Sequence, residues 1–267
     1  MNEKNLEYLS DQVKYTGFGE GLAGDLREKL QEQSSGFTLT YNAQYGQDTA
    51  VATLNFRKSD QSDMYFFNSY KVSLQKADGK DALEQTFYIN KGNNITMKEA
   101  YNLMEGRAVN KDLTTKEGEV YNAWVQMDFK EADAAGNFKL NHFHQNYGYD
   151  LEAAVSKHPI KELDTPRYKE DLMDSLKKGN LQSATFIKDG TEVKHYIEAN
   201  PQFKTVNVYD GNQQRLDSRQ SKAEKQAEGE GKSEKKENRK KQDLNDESGP
   251  DVAGDDKKKR KKQNKSL

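Results

Sequence analysis

Apolar residues in the first part of the chain recur at the spacing of a helix. They form two stripes, Leu6, Leu9 and Val13 followed by Leu22, Leu26 and Leu30. Residues three and four positions apart share one face of an α-helix, so the stripes predict helix over residues 3–33. The glycines within residues 17–21 interrupt this pattern, and two short helices are therefore expected.

From Phe37 onwards the pattern changes to an alternation of apolar and polar residues. Four such segments follow one another, at residues 37–45, 50–56, 64–74 and 85–90. Alternation with a period of two is typical of half-buried strands, and short connections join antiparallel neighbours. A four-stranded meander is expected, and the flanking helices are the nearest elements that can cover its apolar face.

Two further helices are marked by their ends. Thr96-Met97-Lys98-Glu99 has the capping-box pattern, which predicts a helix that begins there and ends at Gly106. Thr165-Pro166 predicts the start of another helix, which ends at Gly179. Alternating segments follow these helices, at residues 121–129 and 138–142 and at residues 181–187, 193–199 and 204–209. Between the two, a short helix over residues 150–157 is expected to end before Pro159.

The two stretches resemble each other, because each has a glycine at the helix end and another glycine 12 or 11 residues later, at Gly118 and Gly190. The pattern predicts an α+β fold in which small antiparallel sheets pack with helices and a helix-plus-hairpin unit occurs twice. The expected domains are N-terminal helices plus a meander over residues 1–92 and two helix-plus-hairpin units over residues 93–210. A single body over residues 1–210 is the alternative.

Composition separates the last 57 residues from the rest of the chain. Residues 211–267 contain 17 Lys and Arg, 12 Asp and Glu and no aromatic residue. Such a segment cannot bury enough apolar surface to offset its loss of conformational entropy. We expect a disordered, charged C-terminal tail with a net charge of about +5, attached to a body with a net charge of about −7.

Consecutive cations near the end of the tail form a candidate nucleic-acid-binding site: Lys257, Lys258, Lys259, Arg260, Lys261 and Lys262. Runs of this kind bind phosphate backbones by releasing condensed counterions, without reading the base sequence. A purely solubilising role and contact with an acidic protein or membrane surface are the alternatives, because the interspersed carboxylates weaken the field of the tail.

The residue types that carry chemistry in enzymes form no recognisable set. The chain has no Cys, which excludes disulfides, iron–sulfur clusters and thiolate catalysis. Residues 19–24 match the letters of the dinucleotide fingerprint, but a helix precedes them where that motif needs a strand. His142 and His144 share one face of a strand, yet two ligands do not make a metal site. No catalytic residue, metal site or cofactor is predicted, and we expect that the chain is not an enzyme.

Aromatic residues cluster in the segment from Met64 to Tyr70. Alternation places Phe66 and Tyr70 on one face of the strand and Tyr65 and Phe67 on the other. Apolar residues on both faces indicate a central strand, or a strand whose second face meets a partner protein. Stacking of nucleic-acid bases would also use such rings, but the preceding loop is acidic rather than basic.

The chain shows no sign of membrane insertion or export. No apolar run approaches the ~20 residues of a membrane span. The polar start of the chain also lacks the apolar core of a signal peptide. We expect a cytoplasmic protein with no membrane partner.

Four segments carry a resemblance to a known family: Tyr8 to Gly19, Lys58 to Asn68, Gly106 to Leu113, and Tyr121-Asn122-Ala123-Trp124. With them, residues 5–210 resemble a family of uncharacterised proteins from Bacteroidota, carried in genomes alongside conjugative and other mobile elements. A Lys-rich tail is typical of that family. The resemblance implies a bacterial cytoplasmic protein in a mobile-element context, and it implies no catalytic residues.

These observations predict a non-enzymatic binding or adaptor protein. The exposed edges and aromatic residues of small antiparallel sheets suit contact with another protein, and the basic tail suits contact with nucleic acid. The alternative is a divalent-metal-dependent hydrolase or nuclease that uses scattered Asp and Glu. That alternative needs three or more carboxylates that converge in one pocket.

Overall fold

The hydrophobic pattern of the N-terminal region folds as two helices packed against a four-stranded meander. The computed structural model describes residues 2–79, 81–90 and 92–216, so the predicted tail and its run of cations lie, from residue 217 on, outside the described residues. The elements of this region are the helices α1 (Glu3–Val13) and α2 (Ala23–Gln31) and the strands β1 (Gly36–Tyr45), β2 (Asp48–Lys58), β3 (Tyr65–Gln75) and β4 (Leu83–Tyr88). The strands lie side by side in chain order and antiparallel, which confirms the predicted meander.

A β-bulge in β3 corrects the predicted faces of the aromatic segment. The register between β2 and β3 shifts after Asn55, which leaves Asn68 as an extra residue on β3. One extra residue reverses the alternation of the strand beyond it. Three rings are therefore buried together, those of Tyr65, Phe67 and Tyr70. Phe66 is 48% exposed, so the expectation that Phe66 and Tyr70 share a face is wrong, and the rings considered for base stacking lie in the core.

The corner between α1 and α2 is a short π-type helix, Lys14–Phe18, in which Gly17 has a φ of 96°. A Cβ atom on Gly17 would lie 3.2 Å from the amide nitrogen of Met97, so this close approach favours glycine. Phe18 is buried and packs edge to face on Tyr70, with ring centroids 5.1 Å apart. The glycines that follow belong to a helix–helix corner, as predicted.

The first repeat unit consists of α3 (Met97–Met104) and the strands β5 (Val109–Thr114), β6 (Val120–Ala132) and β7 (Phe138–His144). The capping box predicted at the start of α3 is present. The amide of Glu99 donates to Thr96 Oγ1 over 3.4 Å, and the amide of Thr96 donates to Glu99 Oε2 over 2.8 Å. Lys111 also donates to the Glu99 carboxylate over 2.7 Å, which ties β5 to the start of the helix.

A short helix α4 (Leu151–Val155) leads to the second repeat unit, which consists of α5 (Pro166–Lys177) and the strands β8 (Gln182–Lys188), β9 (Thr191–Asn200) and β10 (Thr205–Tyr209). In each unit one helix precedes three antiparallel strands that lie in chain order. The α+β fold class is confirmed, and the order of one helix followed by three strands occurs twice. The repeated unit has a three-stranded meander where the sequence predicted a hairpin.

Apolar side chains form two clusters. The larger cluster joins α1, α2, α3 and the inner face of β1–β4 to one face of β5 and β6. The smaller cluster fills the second repeat unit and receives Trp124 from the opposite face of β6. Apolar residues before and after position 92 thus share one core. The residues of Met1–Asp217 form one compact unit.

The ordered structure continues beyond residue 210. The amide of Leu216 donates to the carbonyl of Val208 over 2.8 Å, and Arg215 bridges to Tyr209. Residues 211–216 therefore turn back along β10 and belong to the body of the protein.

Candidate functional site

A polar cleft of about 1090 Å³ lies between the N-terminal region and the two repeat units. Its walls are the β1–β2 turn, the chain just after β3, one side of α3, the chain just after α5, and parts of β9 and β10. A cleft of this size accommodates a small molecule or a few residues of a peptide. Its walls come from segments that are far apart in sequence.

Lys76 forms an ion network at one end of the cleft. Its Nζ donates to Asp48 Oδ2 over 2.6 Å and to both carboxylate oxygens of Glu105 over 2.8 Å. Burial alone would raise the pKa of Asp48, but hydrogen bonds from Lys76 and from the amide of Ala77 outweigh it and hold that pKa below its ordinary value. Both of these carboxylates are therefore bound by a cation of the chain itself.

Arg107 forms the back of the cleft and is 8% exposed. Its Nε donates to the carbonyl of Gly179 over 2.9 Å, and its Nη2 donates to Asn102 Oδ1 over 2.9 Å. Its Nη1 lies 3.7 Å from Glu105 Oε2, beyond hydrogen-bond distance. The guanidinium group thus joins the two repeat units and lies within ion-pair distance of Glu105.

Two stacked tyrosine rings carry the cationic wall of the cleft. The rings of Tyr45 and Tyr101 lie 4.1 Å apart at an angle of 20°. Lys98 Nζ lies 4.6 Å from the first ring centroid and 4.8 Å from the second, and the Arg107 guanidinium carbon lies 5.2 Å from the ring of Tyr101. Burial raises the pKa of Tyr45 to about 12, so both hydroxyl groups stay protonated at neutral pH.

Lys98 differs from Lys76 because it has no counterion. In the part of the chain that the structure describes, its ammonium group makes no ion pair and no hydrogen bond. Burial, and after it the charge of Arg107, lower the pKa of Lys98. Lys98 and Arg107 therefore both lie beside the tyrosine pair, and of the two only Arg107 has a carboxylate partner among the described residues.

The opposite wall of the cleft carries a buried carboxylate, that of Glu198 on β9. Its Oε1 accepts from Asn207 Nδ2 and from Tyr209 Oη, both over 2.7 Å. No Lys, Arg or His of the described ranges forms an ion pair with it. The cleft thus has one wall with an unpaired cation and one wall with an unpaired anion.

No family model, no curated protein and no solved structure matches this chain. The resemblance to the Bacteroidota family stays a prediction, and the assignment of a site depends on geometry alone.

A second surface feature is the outer edge of β1. The amide of Lys58 donates to the carbonyl of Ser35 over 3.0 Å, so these two opposing residues form a hydrogen-bonded pair. Along an antiparallel ladder, hydrogen-bonded and non-hydrogen-bonded pairs alternate. It follows that every second residue of β1 directs its N–H and C=O groups away from the sheet: Gly36, Thr38, Thr40, Asn42 and Gln44. Within the described residues, no strand pairs with that side of β1.

On three other edge strands of the described chain, neighbouring segments bind outward-facing backbone amides. On β4 the amide of Thr86 donates to Asn137 Oδ1 over 2.8 Å, and on β5 the amide of Thr114 donates to Asn93 Oδ1 over 2.7 Å. The amide of Ile187 on β8 donates to the carbonyl of Pro159 over 2.8 Å. By contrast, β1 is ten residues long and contains no charged residue and no proline. An edge strand without these protective features is suited to pairing with another chain.

The structure brings the two predicted histidines together but adds no third ligand. The rings of His142 and His144 lie 6.4 Å apart, and His144 stacks on Tyr121 at 5.0 Å. Partial burial lowers the pKa of His142. Across residues 2–79, 81–90 and 92–216, no three His, Cys, Asp or Glu side chains are grouped so that they could hold a metal ion. None of the helices in those ranges is long and apolar enough to cross a membrane.

Sequence reasoning did not identify the residues of the cleft. Lys98 was noted only as part of the capping box, and Tyr45 only as the end of an alternating strand. Arg107 and Glu198 belong to no motif of catalysis or binding. Their common location depends on how the repeat units pack, and no local pattern encodes that.

Proposed function

We propose that this chain is a non-enzymatic adaptor that binds an extended segment of a partner protein by strand addition at β1. The supporting observation is the outer edge of β1, which is long, uncharged and uncovered within the described residues. Strand addition uses the free N–H and C=O groups of such an edge for affinity and its alternating side chains for selectivity.

The faces of β1 suggest the pattern of the partner segment. Phe37, Tyr41 and Ala43 are half-buried on the helix side of the sheet, whereas Thr38 and Thr40 are exposed on the other side. A segment that alternates apolar and polar residues would extend both faces. Since the body has a net charge of about −7, basic flanking residues in the partner would favour association.

The tail extends this proposal to nucleic acid. The cations at residues 257–262 would contact phosphates irrespective of base sequence. If all of them neutralise phosphates, the logarithm of affinity falls against the logarithm of salt concentration with a slope near ~−5. A chain truncated before Asp255 should lose this binding in an anisotropy titration with duplex DNA, and unchanged binding would place the contact on the body.

The hydrolase alternative lacks a supporting observation. Asp48 and Glu105 share the ammonium group of Lys76, and Glu198 lies on the opposite wall with its own donors. No described group of carboxylates has the arrangement that a divalent ion needs.

The substitution Thr40→Pro tests strand addition. The N–H of Thr40 points away from β2, so proline removes a donor from the free edge and leaves the ladder between β1 and β2 intact. Thr40→Ala is the matched control, because it keeps that N–H. We expect proteins captured from the native cell by the full chain to be retained by Thr40→Ala and lost with Thr40→Pro.

Amide hydrogen exchange supplies the structural readout. In the free chain, the amides of Thr38, Thr40 and Asn42 should exchange faster than those of Leu39 and Tyr41. The captured partner should slow the first group. Binding that leaves these amides unchanged, or that survives Thr40→Pro, contradicts the proposal. Protection of the same amides with no partner, together with a doubled mass in light scattering, would show that a second copy occupies the edge.

A further inference from the structure

The cleft contains two charges that the chain leaves unpaired, although it pairs other charges around them. Lys76 binds two carboxylates at one end, and Arg107 is held by Gly179 and Asn102 at the back. Lys98 and Glu198 line the same cleft, yet they do not form an ion pair with each other or with another described residue. Unpaired charges in a partly enclosed site are costly, and a ligand of opposite charge relieves that cost.

The cationic wall is suited to a carboxylate. Lys98 and Arg107 both lie near the ring of Tyr101, at 4.8 Å and 5.2 Å from its centroid. The charge of Arg107 lowers the pKa of Lys98, so the two cations repel each other, and a bound anion would offset that repulsion.

The anionic wall is suited to an ammonium group. Both hydrogen bonds that fix Glu198 go to Oε1, from Asn207 and Tyr209. A carboxylate can accept about four hydrogen bonds in total, so Glu198 retains capacity on the cleft side. The fixed orientation of its side chain reduces the entropy that a ligand would lose on binding.

The rest of the lining suits peptide groups. Side-chain amides occur around the cleft, on Gln44, Gln47, Gln182 and Gln213. Gln44 and Gln182 already bond to residues of the chain, and a side-chain amide such as that of Gln47 or Gln213 can donate to a peptide carbonyl and accept from a peptide N–H. The volume of about 1090 Å³ exceeds what a single free amino acid fills.

We propose that the cleft binds a zwitterionic ligand, a short peptide whose carboxylate lies between Lys98 and Arg107 and whose ammonium group lies at Glu198. The cleft shares Gln44 with the end of the β1 edge, but Thr40 does not line it, so Thr40→Pro tests strand addition without altering the cleft lining.

A titration with trialanine tests the proposal. Four forms of the peptide are compared: both termini free, N-acetylated, C-amidated, and blocked at both ends. Amide shifts of Tyr101 and Asn180 in the ¹⁵N-labelled full chain report binding in the cleft. We expect the free form to bind about tenfold more tightly than either singly blocked form, as for the loss of one charged hydrogen bond. Free alanine, as a separate arm, distinguishes an amino acid from a peptide as the source of the zwitterion.

Two variants assign the ends of the ligand. Lys98→Gln should weaken the preference for a free carboxylate, because only Arg107 then remains to bind it, and should keep the preference for a free amine. Glu198→Gln should do the reverse, and it keeps Oε1 as an acceptor for Asn207 and Tyr209. Lys71→Gln is the control, because Lys71 pairs with Glu84 on the meander and does not line the cleft.

Equal binding of the free and doubly blocked peptides would overturn the proposal. The proposal would also be overturned if no form of the peptide caused saturable amide chemical-shift changes at concentrations up to about 10 mM. These comparisons need only the wild-type chain, so the proposal stays testable if a variant fails to fold.

Discussion

The two repeat units end their helices in the same way but use those ends differently. Gly106 and Gly179 have φ values of 80° and 78°, and their amides donate to Leu103 and Leu176 over 2.9 Å and 3.0 Å. In both units the backbone amide of the next residue also donates to a carbonyl of the helix. The amide of Arg107 donates to the carbonyl of Asn102 over 3.0 Å, and the amide of Asn180 donates to the carbonyl of Ser175 over 3.2 Å. These two hydrogen bonds together define a Schellman motif. Both helices therefore end with the same backbone cap.

The side chains around the two caps have diverged. The carbonyl of Gly106 accepts from Gln126 of its own unit, whereas the carbonyls of Lys178 and Gly179 accept from Asn102 and Arg107 of the other unit. In these hydrogen bonds between the units, the donor belongs to the first unit and the acceptor to the second. A repeated backbone motif has thus acquired an asymmetric interface, and that interface forms the back wall of the cleft.

The largest expected effect separates the two glycines. A Cβ on Gly179 would lie 2.9 Å from the carbonyl oxygen of Ala108 and 2.9 Å from Val109 Cγ2, whereas the nearest atom to a Cβ on Gly106 is a Phe129 ring carbon at 3.5 Å. Both substitutions by alanine carry the cost of the left-handed backbone, about 1–2 kcal/mol. We expect Gly179→Ala to lower the free energy of unfolding by about 3–5 kcal/mol and Gly106→Ala by about 1–2 kcal/mol in urea titrations. An equal decrease in the free energy of unfolding for both variants would contradict the closer packing around Gly179.

A smaller effect is expected from the residues that follow the glycines. Arg107→Leu leaves Asn102 Oδ1 and the Gly179 carbonyl without their donor, so we expect a loss of about 2–4 kcal/mol. Asn180→Ala removes weaker bonds of 3.2 Å to Ser175 and Asn102, and a loss of about 1 kcal/mol is expected. Thermal unfolding of both variants beside wild type measures the difference. A more stable Arg107→Leu chain would show that the buried cation serves the cleft at the expense of the fold.

An effect that depends on pH concerns the residue before each glycine, Glu105 in the first unit and Lys178 in the second. Glu105 shares Lys76 with Asp48, whose pKa is lowered in the folded chain. A lowered carboxyl pKa stabilises the fold above the unfolded pKa of about 3.9, and this contribution is lost as pH falls through the folded pKa. We expect Lys76→Met to cost about 1–2 kcal/mol at pH 7 and progressively less below pH ~4. Urea titrations across pH 3–7 check this, and a cost that does not change with pH would assign it to packing.

The fold was predictable where local chemistry decides it. The capping box at Thr96 and Glu99 and the glycine caps at Gly106 and Gly179 are encoded within four or five residues, and all are present in the structure. The bulge at Asn68 was not predicted, because a strand can absorb an extra residue without any change in its composition. The ring faces beyond that bulge were assigned wrongly for this reason.

The cleft was not predictable from the same information. Tyr45, Lys98 and Glu198 are separated by tens of residues and meet through packing between units. The free edge of β1 was anticipated only in general terms, since exposed edges were expected without a choice among them. The choice depends on which loops cover the other edges, such as Asn137 over β4.

The order of the strands has a consequence for synthesis on the ribosome. In all three sheets, each strand pairs with its neighbour in sequence, so a sheet can close as soon as its last strand has emerged. The bond from Arg107 to Gly179 spans 72 residues and must wait for the second unit. Until then Arg107 lacks its Gly179 acceptor. The nascent chain can therefore have a folded N-terminal meander while the cleft is still incomplete.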